Sequence, residues 1–175
     1  MSNKTVLKIA QNGIVGAIYF LLCFLLQSIS FGTIQVRIAE ILGLLCFFRP
    51  DFIIGVTLGC FLANLQSTLG WPDILIGTVA TLISCTLIAF ASPSLLIACL
   101  YPIAINAFVV GAELCWLLDI PWSEYFYQSG MVGAGETISM IIGYAFFMLM
   151  KRNKGFMNVL DPIKHRDFVD SVSLM

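Results

Sequence analysis

Seven polar residues interrupt otherwise apolar stretches of this chain: Arg37, Glu40, Asn64, Asp73, Asn106, Glu113 and Glu136. Together they are equipped for recognition. A carboxylate accepts paired N–H groups or holds a cation, an amide both donates and accepts, and a guanidinium donates in a planar fork. Arg37 and Glu40 stand three apart and share a helical face, where a local ion pair would neutralise both. Asn106 and Glu113 are seven apart, two helical turns, and also share a face. For Asn64 and Asn106 the alternative use is interhelical hydrogen bonding within a bundle. Glu113 and Glu136 are harder to explain as scaffold, because Arg37 alone is available as a basic partner on their side. A spare buried carboxylate calls for a cation or for N–H donors, which a ligand would supply.

The elements that must position these residues are membrane helices. The 175 residues are 59% hydrophobic and 11% charged, with a mean hydropathy of +0.97, far from the roughly 25% charged residues of soluble domains. The apolar segments run over about 6–26, 36–48, 52–65, 74–91, 95–118 and from beyond Gln128 to Met150. They predict an all-α integral membrane protein, a compact bundle of six transmembrane helices. Segments two and three fall short of the roughly 20 residues that cross a bilayer squarely, so they are either short spans or a re-entrant hairpin. Pro102 should kink the fifth segment or mark its true start. Asp119 to Gln128 reads as an aromatic-rich loop. The membrane-embedded domain covers 1–154, and 155–175 is a polar tail.

Basic residues orient the bundle. Lys4, Lys8, Arg49, Lys151, Arg152, Lys154, Lys164 and Arg166, eight of the nine Lys and Arg, fall on one side of a six-crossing arrangement. That places this side and both termini in the cytoplasm of a multi-pass cell-membrane protein. The seven polar residues then share the outer half. Ionisable groups in hydrocarbon cost a few kcal/mol each on insertion scales, about 2.5–3.5 at a helix centre. A polar binding pocket open to the outside is the economical explanation.

Other patterns exclude functions. A net charge of −1 gives no reason to expect nucleic acid. The six cysteines, Cys23, Cys46, Cys60, Cys85, Cys99 and Cys115, form no CxxC pair and read as small buried hydrophobes. His165, the only histidine, lies in the polar tail, so neither a metal nor a cofactor is expected. No nucleophile–base set suggests an enzyme. No Walker motif is present, and Gly130-x-x-Gly133-x-Gly135 lacks both the GK[ST] ending and the preceding strand of a phosphate loop. The chain therefore cannot energise transport with ATP by itself. On the first segment Ala10, Gly13 and Ala17 present a small face that permits close helix approach, within the bundle or against another membrane protein. Trp122, Tyr125, Phe126 and Tyr127 read as an interfacial belt or as a lid over a flat ligand.

At these polar residues the sequence resembles the queuosine-precursor transporter (QueT) family. The similar runs are Gln35-Val36-Arg37-Ile38-Ala39-Glu40, Gly59-Cys60-Phe61-Leu62-Ala63-Asn64, Asp73 through Leu82, Asn106-Ala107-Phe108-Val109-Val110-Gly111-Ala112-Glu113 and Gly133-Ala134-Gly135-Glu136. The resemblance spans about Leu7 to Met150, in order. It implies the substrate-binding S component of an energy-coupling factor (ECF) transporter, with six helices, two of them short, and an outward-facing site for one small solute. Such a subunit docks onto a transmembrane T component carrying two cytoplasmic ATPases. The ligand it implies, a 7-deazaguanine, has a donor edge that a carboxylate accepts in bidentate fashion. Its carbonyl needs donors such as Asn64, Asn106 or Arg37. An aminomethyl group would want a second carboxylate, and Trp71, Trp122 or Tyr127 could stack on the ring. The expected site is Glu113, Glu136, Asn106, Asn64, Arg37, Glu40, Asp73, Trp71 and Tyr127, with Ala10, Gly13 and Ala17 as the partner face. The alternatives are an S component for another vitamin-like solute and a stand-alone ion-coupled carrier, which would favour two matching halves that the sequence lacks.

Overall fold

The computed structural model describes residues 3–26 and 36–160, which form helices joined by turns and short irregular links, with no strand among them. Seven α-helices follow in order: α1 Asn3–Leu25, α2 Leu45–Phe48, α3 Phe52–Asn64, α4 Trp71–Ala91, α5 Leu95–Leu117, α6 Tyr125–Met150 and α7 Lys154–Leu160. A 3-10 stretch, Ile38–Leu44, leads directly into α2, and a 3-10 turn, Trp122–Glu124, leads into α6. The helices α1, α4, α5 and α6 are long and apolar enough to cross a membrane.

The two short segments differ in construction. Helix α3 has 13 residues and so reaches only about 20 Å at 1.5 Å per residue. The segment before it is stretched, because its 7 residues of 3-10 helix rise by about 2.0 Å each. It reaches a similar length with fewer residues. Both ends of this pair carry local signals. Arg49-Pro50-Asp51 turns the chain between α2 and α3. Beyond α3, Gly70 adopts φ +85° ahead of Pro72 in the first turn of α4, a left-handed backbone that glycine takes without steric cost.

One alternative is decided and one expectation corrected here. Pro102 lies inside α5 and does not mark its start. The helix begins at Leu95, where the Ser94 hydroxyl accepts from the Ile97 amide at 3.3 Å. The aromatic loop is shorter than the sequence suggested, since Tyr125 to Gln128 already belong to α6. Of the polar tail, the part up to Leu160 forms α7. Residues 161–175, with Lys164, His165 and Arg166, lie outside the described residues, as does Gln35.

Packing is closest where side chains vanish. The most extensive helix contacts join α5 to α6 and α1 to α3. A Cβ on Gly59 would stand 2.7 Å from the Gly16 carbonyl oxygen, and one on Gly55 2.6 Å from that of Asn12. The Gly55 amide also donates to Asn12 Oδ1 at 2.8 Å. Gly16, Gly55 and Gly59 thus bring α1 and α3 into backbone contact. Gly13 does not take part: a Cβ there meets no atom within 4 Å, and Ala10, Gly13 and Ala17 are all exposed. The apolar core packs Tyr19, Leu44, Val56, Ile88, Met140 and Phe147 at the centre of the bundle. All six cysteines are buried and free.

Candidate functional site

All seven polar residues are buried, none more than 4% exposed. Antiparallel helices bring them into one half of the bundle. Asn64 ends α3 and Asp73 begins α4, Glu113 lies in the last turns of α5, and Arg37 and Glu40 open the 3-10 stretch. Asn106 and Glu136 lie deeper, near the middle of α5 and α6.

The first group is built around Glu40. Its Oε1 accepts from the Tyr19 hydroxyl at 2.6 Å and from Thr81 Oγ1 at 3.1 Å. Thr81 Oγ1 in turn lies 3.2 Å from Cys60 Sγ, and Asn64 Nδ2 donates to the same sulfur at 3.5 Å. This network ties α1, the 3-10 stretch, α3 and α4 together. Gly77 makes room for it, since a Cβ there would lie 2.7 Å from Asn64 Nδ2 and 3.8 Å from Arg37 Nη1. The Arg37 guanidinium sits among Tyr19, Cys60, Glu40 and Asp73.

The second group is less saturated. Asn106 Nδ2 donates to Glu136 Oε1 at 2.9 Å. Asn106 Oδ1, Glu136 Oε2, both Glu113 carboxylate oxygens and Asp73 Oδ2 are buried without a hydrogen-bond partner among the described residues. Asp73 and Arg37 are the charged groups that act on Glu113, while Glu40 and Arg37 act on Glu136. Five orphaned acceptors in one place stand out, because buried polar atoms are otherwise almost always paired, at a cost of about 1–3 kcal/mol for each that is not. What the arrangement can do is accept several N–H groups, or a cation, from a molecule with a donor-rich edge. No three His, Cys, Asp or Glu side chains are placed to hold a metal ion among the described residues.

Two expected site residues are not brought to this cluster. Trp71 is 69% and Tyr127 61% exposed. The neighbouring Trp122 and Phe126 are exposed as well, and Trp122, Tyr125 and Phe126 pack ring against ring. The sequence reading missed Tyr19, Thr81 and Cys60, the residues that hold Glu40 and Asn64. A signal existed for Tyr19, since a tyrosine within an apolar helix needs a partner for its hydroxyl when buried. Thr81 and Cys60 gave no comparable sign.

Residues 9–152 match the family described as QueT transporter. The chain belongs to that family. It is also 36% identical over 85 residues to the "Queuosine precursor transporter QueT" of Lactococcus lactis subsp. cremoris (strain MG1363). That alignment covers 47% of this chain and 50% of the relative, so about half of the relative's length is spanned. No solved structure matches. The QueT match includes every residue of the buried polar cluster, from Tyr19 to Glu136. It ends at residue 152, so α7 falls outside it.

Proposed function

We propose that this chain is the substrate-binding S component of an ECF-type importer, which captures a queuosine precursor from outside and delivers it through an ATPase-driven complex. The observation that carries this reading is the set of buried, unpartnered acceptors on Asp73, Asn106, Glu113 and Glu136 in a QueT-family chain. A 7-deazaguanine presents ring N–H and amino donors, the complement of those acceptors. Arg37 and Asn64 carry N–H groups suited to its carbonyl oxygen, and Glu40, held by Tyr19 and Thr81, is a charged neighbour of Arg37.

In this reading α2 with its 3-10 lead and α3 are short spans, giving six crossings with both termini cytoplasmic. The pocket half, at the end of the molecule opposite Lys8 and Arg49, then faces outward. The relative in Lactococcus lactis is named for a queuosine precursor, which favours that solute over another vitamin-like molecule. A T component with two cytoplasmic ATPases would dock on the exposed small face of Ala10, Gly13 and Ala17. That face borders a groove between α1 and α3 lined by Asn12, Gly13, Ala17, Ile54 and Leu58. Helices approach closely where such residues lie exposed.

A titration of the purified chain in lipid nanodiscs with 7-deazaguanine precursors, guanine and several vitamins tests the ligand. Saturable binding of the precursors and of none of the vitamins is the expected result, and binding of a vitamin alone overturns it. Co-purification tests the assembly. The wild type brings ATPases with it, and Ala17→Trp folds but loses them, because a bulky ring holds the helices apart. Transport by the chain alone in vesicles would instead identify a self-sufficient carrier.

A further inference from the structure

The buried cluster carries a charge imbalance that the neutral edges of a purine-like ring do not answer. Glu40, Asp73, Glu113 and Glu136 are each at most 3% exposed, and Arg37 is the cation buried with them. Residues 27–35 contribute no Lys, Arg or His. The carboxylates are also unequally served. Glu40 receives two hydroxyl donors and Glu136 receives the Asn106 amide. Asp73 Oδ2 and both oxygens of Glu113 receive nothing among the described residues. These two side chains come from the first turn of α4 and the last turns of α5, and Asp73 is the foremost charged neighbour of Glu113. Two carboxylates held together out of water repel each other, and a cation or a shared proton relieves them.

We propose that Asp73 and Glu113 form an ammonium subsite, which binds the charged amine on the ligand's side chain while the Asn106–Glu136 pair accepts N–H groups from the ring edge. This inference rests on the queuosine-precursor reading and deepens it. The protein then selects cationic 7-deazaguanines, those bearing an alkylammonium at C7, over neutral ones of the same shape. The two halves of the ligand are read by different residue pairs. The ring pair is assembled from α5 and α6, and the ammonium pair from α4 and α5, so the ligand bridges α4 and α6 across α5. An ammonium is a compact charge with three donors, suited to a corner where two carboxyl groups face each other and no other described group donates to them.

The test compares two ligands that differ only at C7, 7-aminomethyl-7-deazaguanine and 7-cyano-7-deazaguanine, titrated into the full chain in nanodiscs. The wild type should bind the aminomethyl compound more tightly by about tenfold or more, the scale of one desolvated charge contact. Asp73→Asn combined with Glu113→Gln should abolish that preference, chiefly by weakening the aminomethyl compound. Glu136→Gln should weaken both ligands alike and leave the ratio intact. Equal wild-type affinity for the two compounds overturns the subsite but leaves the queuosine-precursor reading standing. That comparison needs no variant to fold. A preference that survives the double substitution overturns it as well. Failure of both ligands to bind overturns the reading of function itself, and the subsite with it.

Discussion

Two buried arginines at opposite ends of the bundle live in contrasting surroundings. Arg49, 5% exposed, is fully served. Its Nε donates to Asp51 Oδ1 at 3.0 Å and its Nη2 pairs with Asp51 Oδ2. Its Nη1 donates to Gln11 Oε1 at 2.9 Å and to the Leu160 carbonyl at 3.3 Å, and the guanidinium lies 4.6 Å from the centre of the Phe52 ring. One cation, one anion and matching acceptors close the account, and the result ties α1, the α2–α3 turn and α7 together. Arg37 acts on four carboxylates, Glu40, Asp73, Glu113 and Glu136, and five acceptor atoms of this cluster have no hydrogen-bond donor among the described residues. A satisfied ionic cluster is scaffold, because nothing further can bind without breaking it. An unsatisfied one lowers the stability of the protein alone and is intelligible when a ligand completes it.

The contrast makes the two ends respond oppositely to substitution. The largest effect is expected at the satisfied end. Arg49→Ala leaves the Asp51 carboxylate and the Leu160 carbonyl without their donor. The Asp51 side chain is 23% exposed, so the loss is about 3 kcal/mol, the lower end for breaking a buried pair. Thermal unfolding in nanodiscs should show that loss, while the folded fraction keeps wild-type ligand affinity. An Arg49→Ala variant that stays stable but no longer binds would erase the distinction between the two ends.

An intermediate effect is expected at Tyr19, which supports the buried polar cluster from α1. Tyr19→Phe removes the hydroxyl that donates to Glu40 at 2.6 Å and leaves a buried carboxylate short of a donor, a cost of about 1–3 kcal/mol. Stability should fall by that amount, and ligand affinity should fall less than in Glu136→Gln. If Tyr19→Phe abolished binding outright, Tyr19 would belong to the ligand contacts and not to their support.

The smallest effect concerns pH. Asp51 sits in the turn outside the long helices, and its hydrogen bond from Arg49 holds its carboxyl below the ordinary aspartate range. A carboxyl lowered in this way stabilises the fold above its unfolded pKa, and the contribution disappears as pH falls through the folded value. The wild-type advantage over Asp51→Asn should therefore be complete above about pH 5 and shrink below the usual aspartate value of about 4. An advantage that stayed constant through acid pH would detach Asp51 from the Arg49 cluster.

Much of this was legible in the sequence because hydrocarbon tolerates few polar groups. Arg37, Glu40, Asn64, Asp73, Asn106, Glu113 and Glu136 stood out against apolar segments, and the fold buries all seven in one half of the bundle. The helix boundaries followed from Pro, Gly and Ser at the segment ends. What stayed hidden depends on pairings between distant segments. Nothing local showed that Tyr19 and Thr81 converge on Glu40, 21 and 41 residues away. The small face of Ala10, Gly13 and Ala17 is exposed, while the close approach inside the bundle is made by Gly16, the neighbour of Ala17, which the spacing of small residues did not single out. Trp71 and Tyr127, which the resemblance suggested for stacking on a flat ring, stand largely exposed and apart from the buried cluster. The start of α6 was obscured because aromatic residues suit an interfacial loop and the first turns of a helix equally well.

The central claim is that the unsatisfied acceptors are kept for a ligand. Glu136 tests it most directly, since Gln preserves the shape, keeps an oxygen for Asn106 and exchanges one acceptor for a donor. Thermal unfolding and titration of wild type and Glu136→Gln should be run with and without 7-aminomethyl-7-deazaguanine. The variant is expected to be as stable as wild type when unliganded. It should lose roughly 2–5 kcal/mol of binding free energy, the usual cost of mispairing a desolvated charged contact, and with it the ligand-induced rise in unfolding temperature. A folded Glu136→Gln protein that binds as tightly as wild type, with the same thermal shift, would contradict the claim.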